Sequence, residues 1–182
     1  MAIKKIVTSP NPILSAKTQK VGGVTDDIRE IAQDLLDTVK VAEDPEGAGL
    51  AANQIGVSKR MCVVRKFFED PINPDQVSSD DMVLINPKIT YFSSEKEVDW
   101  EGCLSVPDEY GMVERSKQIK VSAKNLEGEK IKIRAEGFFA RTIQHEVDHL
   151  NGILFTSKVL GKTISQKQFD ELMEEQYRDK DL

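Results

Sequence analysis

Apolar residues recur at helical spacing in two clear places along the chain. Ile28, Ile31, Ala32, Leu35, Val39 and Ala42 share one face, three, four and seven positions apart. Thr25 stands before this stripe as an N-cap, and Asp26 and Asp27 occupy the first turn, where the helix dipole favours acids. The pattern predicts a helix to about residue 43. Phe139, Ile143, Val147 and Leu150 repeat the spacing after Gly137, and Gly152 suits a left-handed C-terminal cap. A third helix, strongly charged, is predicted over residues 165–178.

Between the first two helices the pattern is that of strands. Residues 60–67, 82–92, 96–106, 118–125 and 130–135 read as strands, and the last two flank Leu126-Glu127-Gly128-Glu129 as a hairpin. Residues 9–25, with Pro10, Pro12, Gly22 and Gly23, read as an irregular segment. Residues 69–81, with Pro71 and Pro74, read as a surface loop, and residues 45–56 are rich in glycine and small side chains. Helices and mostly antiparallel strands in this order predict an α+β fold. No repeat or linker divides the chain, so residues 1–182 are expected to form one domain.

Composition narrows the function. Of the 182 residues, 39% are hydrophobic and 31% charged, as in ordinary globular proteins. The net charge of −6 argues against a general nucleic-acid binder. No run approaches the roughly 18–20 apolar residues of a membrane span. Met1-Ala2-Ile3-Lys4-Lys5-Ile6 leads into no signal-peptide-like stretch, so a cytoplasmic location without membrane contact is expected. Cys62, in the apolar run Met61-Cys62-Val63-Val64, reads as a buried structural thiol, and a disulfide to Cys103 is not expected in a cytosolic chain.

The chemistry concentrates in His145-Glu146-Val147-Asp148-His149, which holds both histidines of the chain. Positions i and i+4 of a helix lie about 40° apart, so both imidazoles project from one face, with Glu146 near enough to reach a water on a shared metal ion. A catalytic site of this kind needs a third protein ligand, here Cys, Glu or Asp. Cys103, in Glu101-Gly102-Cys103-Leu104-Ser105, is one candidate. Glu171, Glu174 and Glu175 are others, though their helix reads more simply as a solvated face. In the loop from Glu46 to Gly56, Gly47 and Gly49 leave backbone uncovered for an added peptide strand, unless the loop is only a tight turn into Ala51-Ala52. Gln54 could donate an amide N–H to an oxyanion. Ligand chemistry alone points to zinc.

Three segments together resemble the signature motifs of peptide deformylases: Gly47-Ala48-Gly49-Leu50-Ala51-Ala52-Asn53-Gln54, Glu101-Gly102-Cys103-Leu104-Ser105 and Gln144-His145-Glu146-Val147-Asp148-His149. The resemblance extends to Pro10-Asn11-Pro12-Ile13-Leu14 and Asn151-Gly152-Ile153-Leu154-Phe155. It implies a fold of antiparallel sheets around a central metal-binding HExxH helix, with an N-terminal and a C-terminal helix. It implies one divalent ion on Cys103, His145 and His149, usually Fe²⁺ and replaceable by zinc, nickel or cobalt. Glu146 would carry the proton, while the Gln54 amide and the Leu104 N–H would meet the oxyanion. Gly47, Gly49 and Leu104, with Phe138, would contact an N-formylmethionyl nascent peptide, whose formyl group is hydrolysed.

Two features depart from parts of the family. Some relatives carry an arginine where this chain has Pro107-Asp108-Glu109-Tyr110-Gly111. Some bacterial relatives dock on the ribosome through a basic C-terminal helix, whereas residues 165–182 here hold six acids against three basic residues. Arg115 is expected to pair with Glu101 or Asp148 and so brace the ligands. The competing readings are an HExxH zinc metalloprotease with another third ligand, and a non-catalytic domain with a structural metal.

Overall fold

The computed structural model describes residues 2–42, 47–69 and 77–180. A short helix α1 (Pro12–Ser15) interrupts the segment expected to be irregular, capped by the Asn11 side chain accepting from Ile13 N–H at 3.1 Å. Helix α2 (Asp26–Lys40) buries Ile28, Ala32, Leu35 and Val39, the stripe read from the sequence. It stops before residue 43, which lies outside the described residues together with 44–46. Thr25 is the N-cap residue, but its hydroxyl bonds Asp27 rather than a backbone N–H.

Seven strands follow: β1 (Gly49–Ala51), β2 (Met61–Glu69), β3 (Val77–Phe92), β4 (Lys96–Cys103), β5 (Val106–Ser116), β6 (Gln118–Lys124) and β7 (Lys130–Glu136). Five make a sheet in the order β1-β2-β3-β6-β7, and β4 and β5 make a separate two-stranded ribbon. Every one of these pairings is antiparallel. Two more helices complete the α+β fold, α3 (Gly137–Leu150) and α4 (Gln166–Lys180). No described helix is long and apolar enough to cross a membrane.

Two expectations need correction. Residues 77–81 are not loop: they begin β3 and pair with the end of β2, Glu69 opposite Val77, while the rest of the expected loop, 70–76, lies outside the described residues. The strand expected over 96–106 ends at Cys103, turns at Leu104 and Ser105, and folds back as β5. β5 escaped sequence reading because its buried positions include Gly111, Arg115 and Ser116, which hide the apolar alternation of an ordinary strand.

The five-stranded sheet is covered on both faces. Cys62, Val64, Leu84 and Val121 pack with Ala140, Ile143, Val147 and Leu150 of α3. Met61, Val63 and Ile85 pack with Ile28, Leu35 and Val39 of α2. The unbroken apolar run at the start of β2 is therefore that of a strand buried on both sides. Cys62 is buried and both cysteines are free, as expected. The α3 C-terminus closes on Gly152 at φ +75, with Ile153 N–H bonding Asp148 O at 2.9 Å and Gly152 N–H bonding His149 O at 3.0 Å. Asn53 Nδ2 and Thr18 Oγ1 donate to the last carbonyls, of His149 and Leu150, each at 2.8 Å. These bonds fix the end of α3 that carries His149.

Candidate active site

Helical spacing sets His145 and His149 one above the other, their Nε2 atoms 3.1 Å apart. The end of β4 brings Cys103 to them, its Sγ 3.2 Å from His149 Nε2. Glu171, Glu174 and Glu175 stand exposed on α4, and the three-residue donor cluster found among the described residues is Cys103, His145 and His149. Two nitrogens and a sulfur around a tetrahedral ion would be separated by roughly 3.3 and 3.6 Å, from ordinary metal–ligand lengths. The observed spacings lie within a few tenths of these values, so the donor set fits one ion.

The surroundings fit a cation as well. His145 Nδ1 lies 3.0 Å from Glu101 Oε2, which selects the tautomer whose Nε2 lone pair faces the cluster. Burial disfavours charge on His145, yet Cys103 and Glu101 raise its pKa well above the ordinary value: the spot attracts positive charge. Burial and the neighbouring His145 push His149 the other way, toward the neutral ring that binds metals.

Glu101 is the hub beneath the Cys-His-His cluster. Arg115 donates to both its oxygens, Nε at 2.8 Å and Nη2 at 2.9 Å, and also bonds Asp148. Arg115 thus pairs with both acids proposed from sequence. Burial opposes the Glu101 charge, but hydrogen bonds from Arg115 and His145 outweigh it and hold the carboxyl well below the usual range. Burial likewise opposes the Arg115 charge, and Glu101 and Asp148 more than offset it. Sequence reasoning missed three participants. Arg141 donates to Glu101 Oε1 and Val113 O, each at 2.9 Å. Ser105 N–H donates to the Cys103 sulfur at 3.4 Å, and Lys158 reaches Asp148 Oδ2 at 2.7 Å. Arg141 had one available signal, its place one helical turn before His145.

Glu146 is 3% exposed, and its Oε2 makes no hydrogen bond among the described residues. Burial raises its pKa to about 7, against a partial lowering by His145. The β1 backbone passes directly over it: a Cβ on Gly49 would lie 2.6 Å from Glu146 Oε1. A Cβ on Gly47 would lie 2.2 Å from Val39 O, so both glycines are required by close approach. At Gly102 the approach is to the Tyr110 ring, 2.7 Å from such a Cβ. Gln54, in a 3-10 turn after β1, is locked by Ala51 N–H donating to its Oε1 at 2.8 Å. Its Nε2 points to Ser105 Oγ at 3.2 Å and Cys103 Sγ at 3.8 Å.

A cleft of about 390 Å³ opens over these groups. Gly47, Gly49, Leu104, Phe138, His145 and Glu146 are in its wall, as are Trp100, Tyr110 and Phe169. β1 is the edge of its sheet, paired on one side only with β2. A narrow cleft beside a free strand edge, with a buried carboxylate next to a Cys-His-His cluster, places the protein among the hydrolases that cut peptide-like amides. Which hydrolase it is follows from its relatives.

The chain belongs to the polypeptide deformylase family, whose model matches residues 3–165. A peptide deformylase of Desulforudis audaxviator is 45% identical over 158 residues, spanning 87% of this chain and 94% of that protein. One from Thermomicrobium roseum is 42% identical over 163 residues, spanning 87% of each. Among solved structures, the Met-Ala-Ser-bound class I type b peptide deformylase of Acinetobacter baumannii has a TM-score of 0.76 at 36% identity, covering 87% of this chain and 99% of that one. The family is metal-dependent, and its reaction is that of this chain: hydrolysis of the N-formyl group from nascent peptides that begin with formylmethionine. The metalloprotease reading is not favoured.

Proposed function

We propose that Cys103, His145 and His149 hold one divalent metal ion, with α3 as the central helix of the fold supplying both imidazoles, and that Glu146 moves the proton in deformylation. The observation that supports this is the convergence of one sulfur and two Nε2 atoms beside a buried, unpartnered carboxyl oxygen. Fe²⁺ is the ion assigned, with zinc, nickel and cobalt as replacements. One thiolate and two imidazoles suit such borderline metals. When bound, the ion supplies Lewis acidity and makes water nucleophilic near neutral pH.

The chain's own groups do the rest. Glu146, with its raised pKa, takes a proton from the attacking water and returns it to the departing amine. Gln54 Nε2, held in place through its Oε1, donates to the oxygen that gains charge, joined by the Leu104 N–H. One such donor is worth about 3–4 kcal/mol. The formylated peptide lies along the open edge of β1 at Gly49, adding a strand and passing the wall at Gly47, and its methionine side chain enters the cleft beside Phe138. Residues 1–182 act as one catalytic domain in the cytoplasm, where formylated chains emerge. The ribosome near the exit tunnel is a partner in this reading, but docking through the acidic α4 is not part of it.

Anaerobically purified protein is expected to release formate from formyl-Met-Ala-Ser and to leave casein intact, with about one metal per chain by elemental analysis. Casein digestion without formate release would favour a protease. Glu146→Ala is expected to keep its metal and lose about 10²–10⁴-fold in kcat. Full activity in that variant would end the role given to Glu146.

A further inference from the structure

We propose that the outer face of the β6–β7 hairpin is a docking surface for RNA phosphates on the ribosome, holding the enzyme beside the formylated chains it acts on. The inference rests on the deformylase reading, because a nascent peptide is still attached to an RNA-rich particle, and it names the surface that meets that particle.

Strand register defines the face. Side chains of directly paired residues point to the same side of a sheet. Lys120 pairs with Arg134, Lys124 with Lys130 and Ser122 with Lys132, while Lys88 of β3 pairs with Ser122 and Tyr91 with Lys120. Six cations therefore share one side of three adjoining strands. The alternate residues, among them Ile119, Val121 and Ile133, point the other way, into the core under α3. On the outer side α2 packs over Met61, Val63 and Ile85 and leaves this end of the sheet open. Lys88, Lys120, Lys130, Lys132 and Arg134 are exposed, and Lys124 is half-buried.

Nothing inside the chain accounts for these charges. Lys4, Lys40, Lys117 and Lys158 each meet an acid at 2.7–3.0 Å. None of the six cations is in an ion pair among the described residues. Glu136, opposite Gln118, is the one acid among the paired positions of this face, and Glu127 and Glu129 lie in the connection beyond it. Lys120 with Arg134 and Lys124 with Lys130 set like charges directly opposite, which destabilises a sheet. Lysines on an edge strand such as β7 deter pairing with a second chain, but that role asks nothing of Lys120, Lys124 or Lys88 further in. The whole chain stands at −6, so the excess is local, as on a surface that meets a polyanion.

RNA fits this face better than a lipid surface does. Tyr91 is 46% exposed with the Lys120 ammonium 5.1 Å from its ring centroid, an aromatic beside cations of the kind on which bases stack. The face offers no other exposed apolar side chain to enter lipid. The cleft takes none of its lining residues from β6 or β7, so the face can be occupied while the cleft stays open.

The test is binding of labelled, metal-loaded full-length enzyme over a salt series. Its probes are vacant bacterial ribosomes, protein-free ribosomal RNA, and vesicles of equal parts phosphatidylcholine and phosphatidylglycerol. The unmodified enzyme is expected to bind both RNA-bearing probes, with affinity falling about 10²–10³-fold between roughly 50 and 200 mM salt, the scale of about four to six neutralised phosphates. The triple variant Lys120→Ala, Lys132→Ala, Arg134→Ala is expected to weaken binding by about 10²-fold and to lower the salt slope by about three, and Lys132→Ala alone by about one. Formate release from formyl-Met-Ala-Ser is expected to be unchanged in both. The charge-matched control Lys17→Ala, Lys20→Ala, Lys167→Ala, at exposed sites elsewhere, is expected to keep the slope. No binding by the unmodified enzyme, binding that survives the triple change, a control that loses as much, binding to ribosomes but not to their bare RNA, or tighter binding to the vesicles would overturn the docking face. RNA binding as expected, but no formate from the unmodified enzyme, would instead overturn the deformylase reading beneath it.

Discussion

The β6–β7 hairpin turns inward Ile119, Val121 and Ala123 with Ile131, Ile133 and Ala135, whereas the β4–β5 ribbon turns inward Glu101, Cys103 and Arg115 beside Val113. Both are antiparallel pairs, and the physics is opposite. The first hairpin is held by apolar burial, which stabilises in proportion to the area removed from water. The second takes charges out of water at a cost of several kcal/mol per ion, offset by the pairing of Arg115 and Arg141 with Glu101 and of Arg115 with Asp148. Such a network adds little net stability. What it gains is position: the Cys103 sulfur at the end of β4 and the His145 ring held through Nδ1.

If that contrast holds, damage to the two hairpins should separate function from stability. The largest effect is expected from Cys103→Ala, in which bound metal and formate release fall together, beyond the roughly 10–100-fold cost of losing an outer partner. Metal content and turnover that survive the change would break the comparison. Arg115→Ala should destabilise by about 3–5 kcal/mol, because Glu101 is left buried and uncompensated. It should also weaken metal binding by about 10–100-fold, read by chelator competition. The Glu101 contribution has a definite pH sign. Its pKa is depressed in the folded protein, so its stabilisation is present above the ordinary value of 4.5 and is lost as the pH falls through the folded value. The stability gap between the native enzyme and Glu101→Gln should be widest at neutral pH and narrow only in strong acid; a gap that widens on acidification would contradict the network.

The other hairpin should behave as packing alone. Ile119→Ala is expected to cost about 2–4 kcal/mol in denaturant unfolding, with kcat of the metal-loaded enzyme unchanged. A kcat loss there would blur the distinction. The smallest effect is at the turn, where Gly128 has φ +81: Gly128→Ala should cost about 1–2 kcal/mol and leave formate release alone.

The same contrast explains what the sequence disclosed. The β6–β7 hairpin was legible because its inner residues are apolar and its turn carries glycine. α2 and α3 were legible through their stripes, and the His145–His149 pair through helical spacing. β5 was hidden because a buried Arg115 reads like a surface residue until its partners are known. β1 was hidden because three residues give no period to count, and Gly49 is there for its closeness to Glu146, a long-range fact. Phe169 carries no local signal in its charged helix, because its stacking on Tyr110 is a long-range contact.

The near contact of Gly49 with Glu146 bears on drug resistance. A side chain at that position would run into the Glu146 carboxylate proposed to carry the proton, so the residue has little freedom to mutate. An inhibitor that leans on this stretch of main chain would press on a surface the organism cannot remodel without disarming the enzyme, and escape would have to arise elsewhere in the cleft.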